Sequence, residues 1–339
     1  MKAGKIPETV LKRSVLRQLK TTRPEVLTGP RVGEDCGVLE LGPDEVFVCT
    51  TDPVTASAVD CGKLGIHAAV NDLASAGAEP VAVMLSILLP VSCEEEELKE
   101  IMAQVEQTCA YLHIQVLGGH TESTPAVNMP VITVTGIGKA KKDGYLTSSG
   151  LKPGDDLVVT KWIGLEGTSI IVKEKWKELS ERFPEAMLEE ARDFDKYLSV
   201  VKEAGAASRF GADAMHDVTE GGIFGALWEM AECAGTGLEA DLRKIPIRQE
   251  TIEICEMYGL NPYGLISGGS LLIGTPDGYS LVRELEKLGI PSVVIGKAVP
   301  GNDRVVFNGG ERRFLERPRA DEIYALGRTD EEESNTPRQ

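Results

Sequence analysis

The sequence predicts a two-domain α/β protein, and three observations carry that reading. The chain has 339 residues, above the size at which a single core usually stops growing. Glycine is frequent, at 36 residues, while aromatics make up only 5%, a balance that suits a fold with many tight turns. Beyond residue 150, strand-like and helix-like segments alternate. Overall, 42% hydrophobic and 26% charged residues describe an ordinary globular composition.

The elements follow in order. Val10, Leu11, Val15, Leu16 and Leu19 recur at helical spacing, so residues 10–19 predict a helix. Residues 28–37 are glycine-rich and read as loop. The β-branched run 46–51 is a strand with Asp52 at its carboxyl end. Residues 63–76 are alanine-rich and helical, which puts Asn71 and Asp72 on a helix. Residues 81–89 read as a buried strand. Ser92 followed by Glu94, Glu95 and Glu96 reads as an N-cap with first-turn acids, opening a helix to about residue 112. A short strand at 114–117 opens into Gly118-Gly119, and 131–137 is a strand ending at Gly138-Lys139. Turn formers crowd 140–156, the best domain boundary. The second half then reads as strand 157–160, a helix starting over 166–175, a longer helix over 184–204, the glycine-rich turn after Ala214-Met215-His216-Asp217, and helix 223–234. Strands at 237–240, 270–273, 292–295 and 304–307 complete it. Residues 329–339 carry acids, Ser, Asn and Pro with no apolar anchor and predict a disordered tail.

Charge and cysteine usage exclude several classes. A net charge of −17 with no long Lys/Arg run argues against nucleic acid as a partner. Seven cysteines, at 36, 49, 61, 93, 109, 233 and 255, are odd in number and include no Cys-x-x-Cys, so neither a zinc nor a disulfide framework is expected. The longest apolar run, 81–91, is too short to span a bilayer, and residues 1–20 lack the apolar core of a signal peptide. The reading is a cytoplasmic protein with no membrane partner.

Chemistry concentrates in short polar patches: Gly33-Glu34-Asp35, Thr50-Thr51-Asp52, Asn71-Asp72 and Gly118-Gly119-His120-Thr121-Glu122. Three place an aspartate beside Gly, Thr or Asn at the edge of an apolar stretch. Hard cations such as Mg²⁺ take oxygen ligands, typically a few carboxylates plus nucleotide phosphate oxygens. Each patch alone has a plain alternative: a solvated turn for Asp35, an Asx turn before Pro53 for Asp52, a solvent-facing helix side for Asn71 and Asp72. Gly118-Gly119 suits either a phosphate cradle or a tight hairpin. In Met215-His216-Asp217-Val218-Thr219-Glu220-Gly221-Gly222, Asp217 or Thr219 is placed to cap a helix and leave the Gly221 and Gly222 N–H groups facing an anion. A plain N-cap is the alternative. Lys139 and Lys161, each after a strand, are candidate charge stabilisers or surface lysines. No Gly-x-Ser-x-Gly and no phosphate-loop motif is present.

Taken in order, these patches resemble the ATP-binding superfamily of aminoimidazole ribonucleotide (AIR) synthase. The anchors include Gly65-x5-Asn71-Asp72-Leu73-Ala74-x-x-Gly77-Ala78-x-Pro80 and the 215–222 segment, and the nearest branch is the HypE-like one. The resemblance implies a two-domain AIR synthase-like fold. Residues 1–150 would form the ATP/Mg-binding and dimerisation domain, whose sheet pairs with a second subunit, and 151–328 the C-terminal α/β domain. It implies ATP and Mg²⁺ as cofactors, with Asp35, Asp52 and Asp72 on the metal. Thr51, Asn71, Gly118, Gly119, His120, Thr121, Asp217, Gly221 and Gly222 would lie at the nucleotide, and His120, Glu122 and Lys139 are the candidates for catalysis. The chain departs from the pattern in three places. No cysteine follows Cys255, where HypE-type proteins modify a C-terminal cysteine. Leu165-Glu166 stands where Asp-His is usual, and Glu-Asp-Cys-Gly where Asp-Asp-Ala-Ala is usual. The expected function is ATP/Mg-dependent activation of an amide, carbamoyl or phosphate oxygen on a small-molecule or protein acceptor, in a homodimer. The other reading is a catalytically weak nucleotide-binding scaffold or regulator in metalloenzyme maturation.

Overall fold

The computed structural model of the protein describes residues 26–28, 32–34, 37–40, 43–55, 57–317 and 320–326. The predicted helix at 10–19, Asp35, Cys36 and the tail 329–339 lie outside the described residues.

The first half folds into a six-stranded sheet in the order β1-β2-β3-β6-β4-β5. Its strands are β1 (Val26–Thr28), β2 (Gly37–Glu40), β3 (Glu45–Val54), β4 (Glu79–Leu89), β5 (Gln115–Ser123) and β6 (Val131–Lys141). Helices α1 (Cys61–Ser75) and α2 (Glu95–Leu112) connect them. Along β6, burial alternates residue by residue, as a strand with one face on a core and one open requires. Helix α1 lies on the inner face through small residues. A Cβ at Gly65 would stand 2.9 Å from Val134 Cγ2, and one at Gly62 would stand 2.5 Å from the Ile101 carbonyl of α2. The outer face carries Phe47, Thr51 and Met84, all exposed.

The second half builds a seven-stranded sheet, β13-β12-β9-β11-β7-β10-β8. Its strands are β7 (Asp156–Thr160), β8 (Ala214–Val218), β9 (Gly237–Asp241), β10 (Ser270–Thr275), β11 (Ser292–Val299), β12 (Arg304–Asn308) and β13 (Glu311–Phe314), with β13 at one edge and β8 at the other. Here both faces are covered. Leu157, Val159 and Leu272 point into one core with helix α6 (Gly222–Ala234). Val158, Leu271 and Ile273 point into another with α5 (Val201–Phe210) and α8 (Gly278–Lys287). Continuous apolar strands such as β7 and β10 are the sequence consequence of two-sided burial. Helices α3 (Leu165–Ser180), α4 (Glu185–Arg192) and α7 (Gln249–Tyr258) complete the unit.

Four expectations are corrected. Strand β3 runs three residues past Thr51, so Asp52 sits inside a strand rather than at its end. Glu94, not Ser92, caps α2, and the Glu97 carboxylate accepts the Glu94 N–H at 2.7 Å. Gly118 and Gly119 do not turn: β5 runs straight through them, with φ of 148° and 153°, where its register with β4 shifts. A Cβ at Gly119 would stand 1.8 Å from the Leu85 carbonyl, so the glycine serves a bulge between paired strands. The expected helix 184–204 is broken into α4, a 3₁₀ turn (Asp193–Tyr197) and α5.

Candidate functional site

The break after α4 has a tertiary cause. Asn71, buried on α1, donates from Nδ2 to the Leu198 carbonyl at 2.8 Å and accepts the Val200 N–H on Oδ1 at 3.0 Å. Lys161, the residue after β7, reaches the same segment, donating to the Tyr197 and Ser199 carbonyls at 2.8 and 2.7 Å and pairing with Glu203 at 2.6 Å. Residues 197–200 thus spend their backbone groups on side chains of both halves and cannot continue a helix. A second strap lies alongside: Asp195 accepts from Lys63 of α1 and Lys173 of α3, each at 2.7 Å, and Lys173 also reaches Asp60 at 2.6 Å.

These ties hold the halves around a cavity of about 180 Å³. On the N-terminal side, Thr50 and Asp52 project from the inner face of β3 and meet Asp72 on α1. The Thr50 hydroxyl lies 2.5 Å from Asp72 Oδ2 and 3.2 Å from Asp52 Oδ2. A hydroxyl has one proton and satisfies one carboxylate at a time, so this arrangement gathers two negative groups at the cavity mouth. Two carboxylates fit Mg²⁺, which commonly takes one or two from protein and the rest from phosphate and water. Among the described residues no group of three or more His, Cys, Asp or Glu is poised for a metal.

The C-terminal side contributes Glu166 at the start of α3, Glu220, Gly268 and Tyr324, and α1 adds His67. Dense packing, with Asp321 and Glu220 nearby, raises the Glu166 carboxyl to about 7, although the Gly268 N–H, 3.1 Å from Oε2, opposes this. His67 is lowered to about 4, first by burial and then by Lys63 and Lys161, so its ring is neutral at pH 7. Its Nδ1 is buried without a hydrogen-bond partner.

The cavity brings together Asp52, Asn71 and Asp72 of the expected site residues, and leaves others apart. Asn71 lines it with its amide engaged as above. Asp217 lies within β8, buried beside His216, and caps nothing. Gly221 is the N-cap of helix α6, and its N–H faces a carboxylate of this chain's own, Asp321, at 2.6 Å. Asp321 also accepts the Ile266 and Ile323 N–H groups at 3.1 and 2.9 Å. His120 and Glu122 are exposed on edge strand β5, bonded to each other at 3.0 Å, and Lys139 pairs with Glu79 at 3.5 Å on the surface. Lys161 is sealed against Glu203 and stabilises no charge in the cavity. His67 and Tyr324 escaped the sequence reading. His67 lies one helical turn before Asn71, which is the signal that would have found it.

The chain belongs to the AIR synthase-related family: residues 33–140 match the N-terminal domain of AIR synthase related proteins and residues 152–308 the C-terminal domain. Within it, the likeness runs toward hydrogenase-maturation proteins. A Methanocaldococcus jannaschii protein provisionally named for hydrogenase expression/formation is 26% identical, over 94% of this chain and 96% of its own. A selenide, water dikinase of Myxococcus xanthus is 30% identical over 76% of this chain and 70% of its own. The crystal structure of the hydrogenase maturation protein HypE in complex with ATP superposes with a TM-score of 0.71 at 19% identity, covering 93% of this chain and 95% of that one.

Proposed function

We propose that this protein is an ATP- and Mg²⁺-dependent enzyme that activates a substrate oxygen by phosphoryl transfer. The observation that carries the proposal is the Asp52–Thr50–Asp72 cluster at the mouth of the interdomain cavity. The solved HypE complex with ATP and the dikinase relative support a nucleotide as the phosphoryl source. Bound Mg²⁺ would supply charge neutralisation for the phosphates, held by Asp52 and Asp72. At about 180 Å³ the cavity is smaller than the several hundred Å³ of a drug-sized site. It therefore accommodates the reacting end and a small acceptor, with the nucleoside outside. Asn71 holds the two halves in register next to the metal carboxylate, and Asp35 joins the metal set in this reading. The protein acts as a homodimer joined through the uncovered face of the first sheet, where Phe47 and Met84 are 38% and 45% exposed. Gly118, Gly119, His120 and Thr121, on the edge strand of that sheet, would meet nucleotide only from that side.

The test is Asp72→Ala. Calorimetric titration with a non-hydrolysable ATP analogue and Mg²⁺ is expected to show at least a roughly tenfold loss of affinity, the cost of one charge-assisted ligand. Unchanged Mg²⁺-dependent affinity would overturn the assignment. ATP turnover with small amides or carbamoyl compounds then separates an enzyme from a nucleotide-binding scaffold.

A further inference from the structure

A second cavity, of about 530 Å³, opens in the C-terminal half and shares no described lining residue with the interdomain one. Its floor is apolar, with Leu242, Val306 and Leu315 all buried. One wall is helix α6, which presents Gly221 and Gly225 there. A Cβ at Gly221 would meet only Gly225 Cα, at 3.6 Å, so this wall is open backbone. Phe224 and Tyr263 also line the cavity, stacked with ring centroids 5.2 Å apart and planes 10° apart. The Tyr263 hydroxyl donates to the Leu242 carbonyl at 3.3 Å, which orients the pair in advance of any ligand. The 3₁₀ turn Glu322–Ala325 stands between the two cavities: Glu322 lines this one and Tyr324 the interdomain one.

Arg313 and Arg317 also line the cavity, and among the described residues neither has a carboxylate partner. Arg304 lies 4.6 Å from the Trp228 ring centroid and pairs with Glu232 at 2.7 Å, whereas Arg317, 5.9 Å from the same centroid, is held there without a counter-charge. The two carboxylates at the cavity are engaged: Glu322 accepts the Asn261 N–H at 3.1 Å, and Glu316 has an interaction of its own. Two unpaired guanidinium groups beside stacked rings, on a chain of net charge −17, are complementary to an anion with an aromatic body. The volume falls within the several hundred Å³ usual for small-molecule sites, which are mostly apolar with a few placed polar groups. We infer that this cavity binds a planar aromatic molecule bearing one anionic group. Its ring extends the Phe224–Tyr263 stack, and its phosphate or carboxylate lies between Arg313 and Arg317. The site is additional to the nucleotide site proposed above and does not rest on it.

The experiment is ligand-observed NMR titration of the full chain with 1-naphthyl phosphate, 1-naphthoate, 1-naphthol and inorganic phosphate. At least one of the two ring-bearing anions is expected to bind saturably. Naphthol and inorganic phosphate, each lacking half of the recognised features, should bind at least about tenfold more weakly than it. Either order of affinity between the two ring-bearing anions fits the inference, and the order tells a phosphate ligand from a carboxylate one. Arg313→Gln, on the exposed strand β13, should weaken the tighter anion about tenfold, and Phe224→Leu about fivefold. A saturating non-hydrolysable ATP analogue with Mg²⁺ should leave that affinity unchanged, because the two cavities are separate. Naphthol binding as tightly as the anions, parental affinity in both Arg313→Gln and Arg317→Gln, displacement of the probe by the ATP analogue, or no saturable binding by folded protein overturns the inference.

Discussion

Replacing Asn71 by Leu tests whether the two halves are held by the amide that joins α1 to the 197–200 segment. The swap keeps the branched side-chain shape but strands two buried backbone groups, the Leu198 carbonyl and the Val200 N–H, which Asn71 engages at 2.8 and 3.0 Å. Each stranded buried group costs about 1–3 kcal/mol, so the variant should lose about 2–6 kcal/mol. For a unit this large, 1 kcal/mol moves the melting temperature by about 2–4 °C, which predicts a fall of about 4–24 °C in differential scanning calorimetry. Lys161 contacts the neighbouring carbonyls of Tyr197 and Ser199, so the two residues share one segment and their losses should not add. A melting temperature within a degree of the parent protein, or strict additivity with Lys161→Met, would refute the picture of one doubly held hinge.

Other outcomes follow from the same contacts. Lys161→Met leaves the Glu203 carboxylate buried without its partner, a loss of about 3–5 kcal/mol by denaturant titration, and adding Glu203→Leu should recover much of it. His67 is lowered to about 4 in the fold, so the folded protein binds fewer protons than the unfolded chain between about pH 4 and the ordinary histidine range. Stability should therefore drop as pH falls through that window, by up to about 3 kcal/mol, and His67→Leu should remove this part of the acid sensitivity in melts from pH 7 to pH 4. Asp321 and Glu166 shift the other way, to about 6 and about 7, so the folded state holds their protons longer. Stability from these groups is lost as pH rises from their ordinary carboxylate range toward neutrality, a slope that Glu166→Gln should flatten near pH 6–7.

Much of this arrangement was legible in the residues, for reasons that differ from place to place. Helix α1 announced itself through small apolar residues at helical spacing, and an adjacent Asn71-Asp72 inside such a run had to be satisfied by something. Asp52 read as a strand-end residue, and only the longer strand puts it on one face with Thr50, where Asp72 of α1 meets them. Local pattern failed where distant chain intervened. The helical run at 184–204 is genuine in propensity, yet side chains from α1 and β7 claim the carbonyls and amides of 197–200. Gly118-Gly119 reads the same as a turn or as a strand bulge, because only the neighbouring strand decides. The Gly221 N–H, expected at a bound nucleotide, is taken by the chain's own Asp321, and nothing near it in sequence indicated that a residue a hundred positions on supplies the carboxylate. Glu166 drew notice only as a departure from Asp-His, since its protonation depends on packing that a linear chain does not display.

A crystal structure of the full chain soaked with Mg²⁺ and a non-hydrolysable ATP analogue tests the central claim most directly. A metal about 2.0–2.1 Å from oxygens of Asp52 and Asp72 is expected, beside the triphosphate. Density for the triphosphate elsewhere, or a metal that leaves both aspartates uncoordinated, would contradict it.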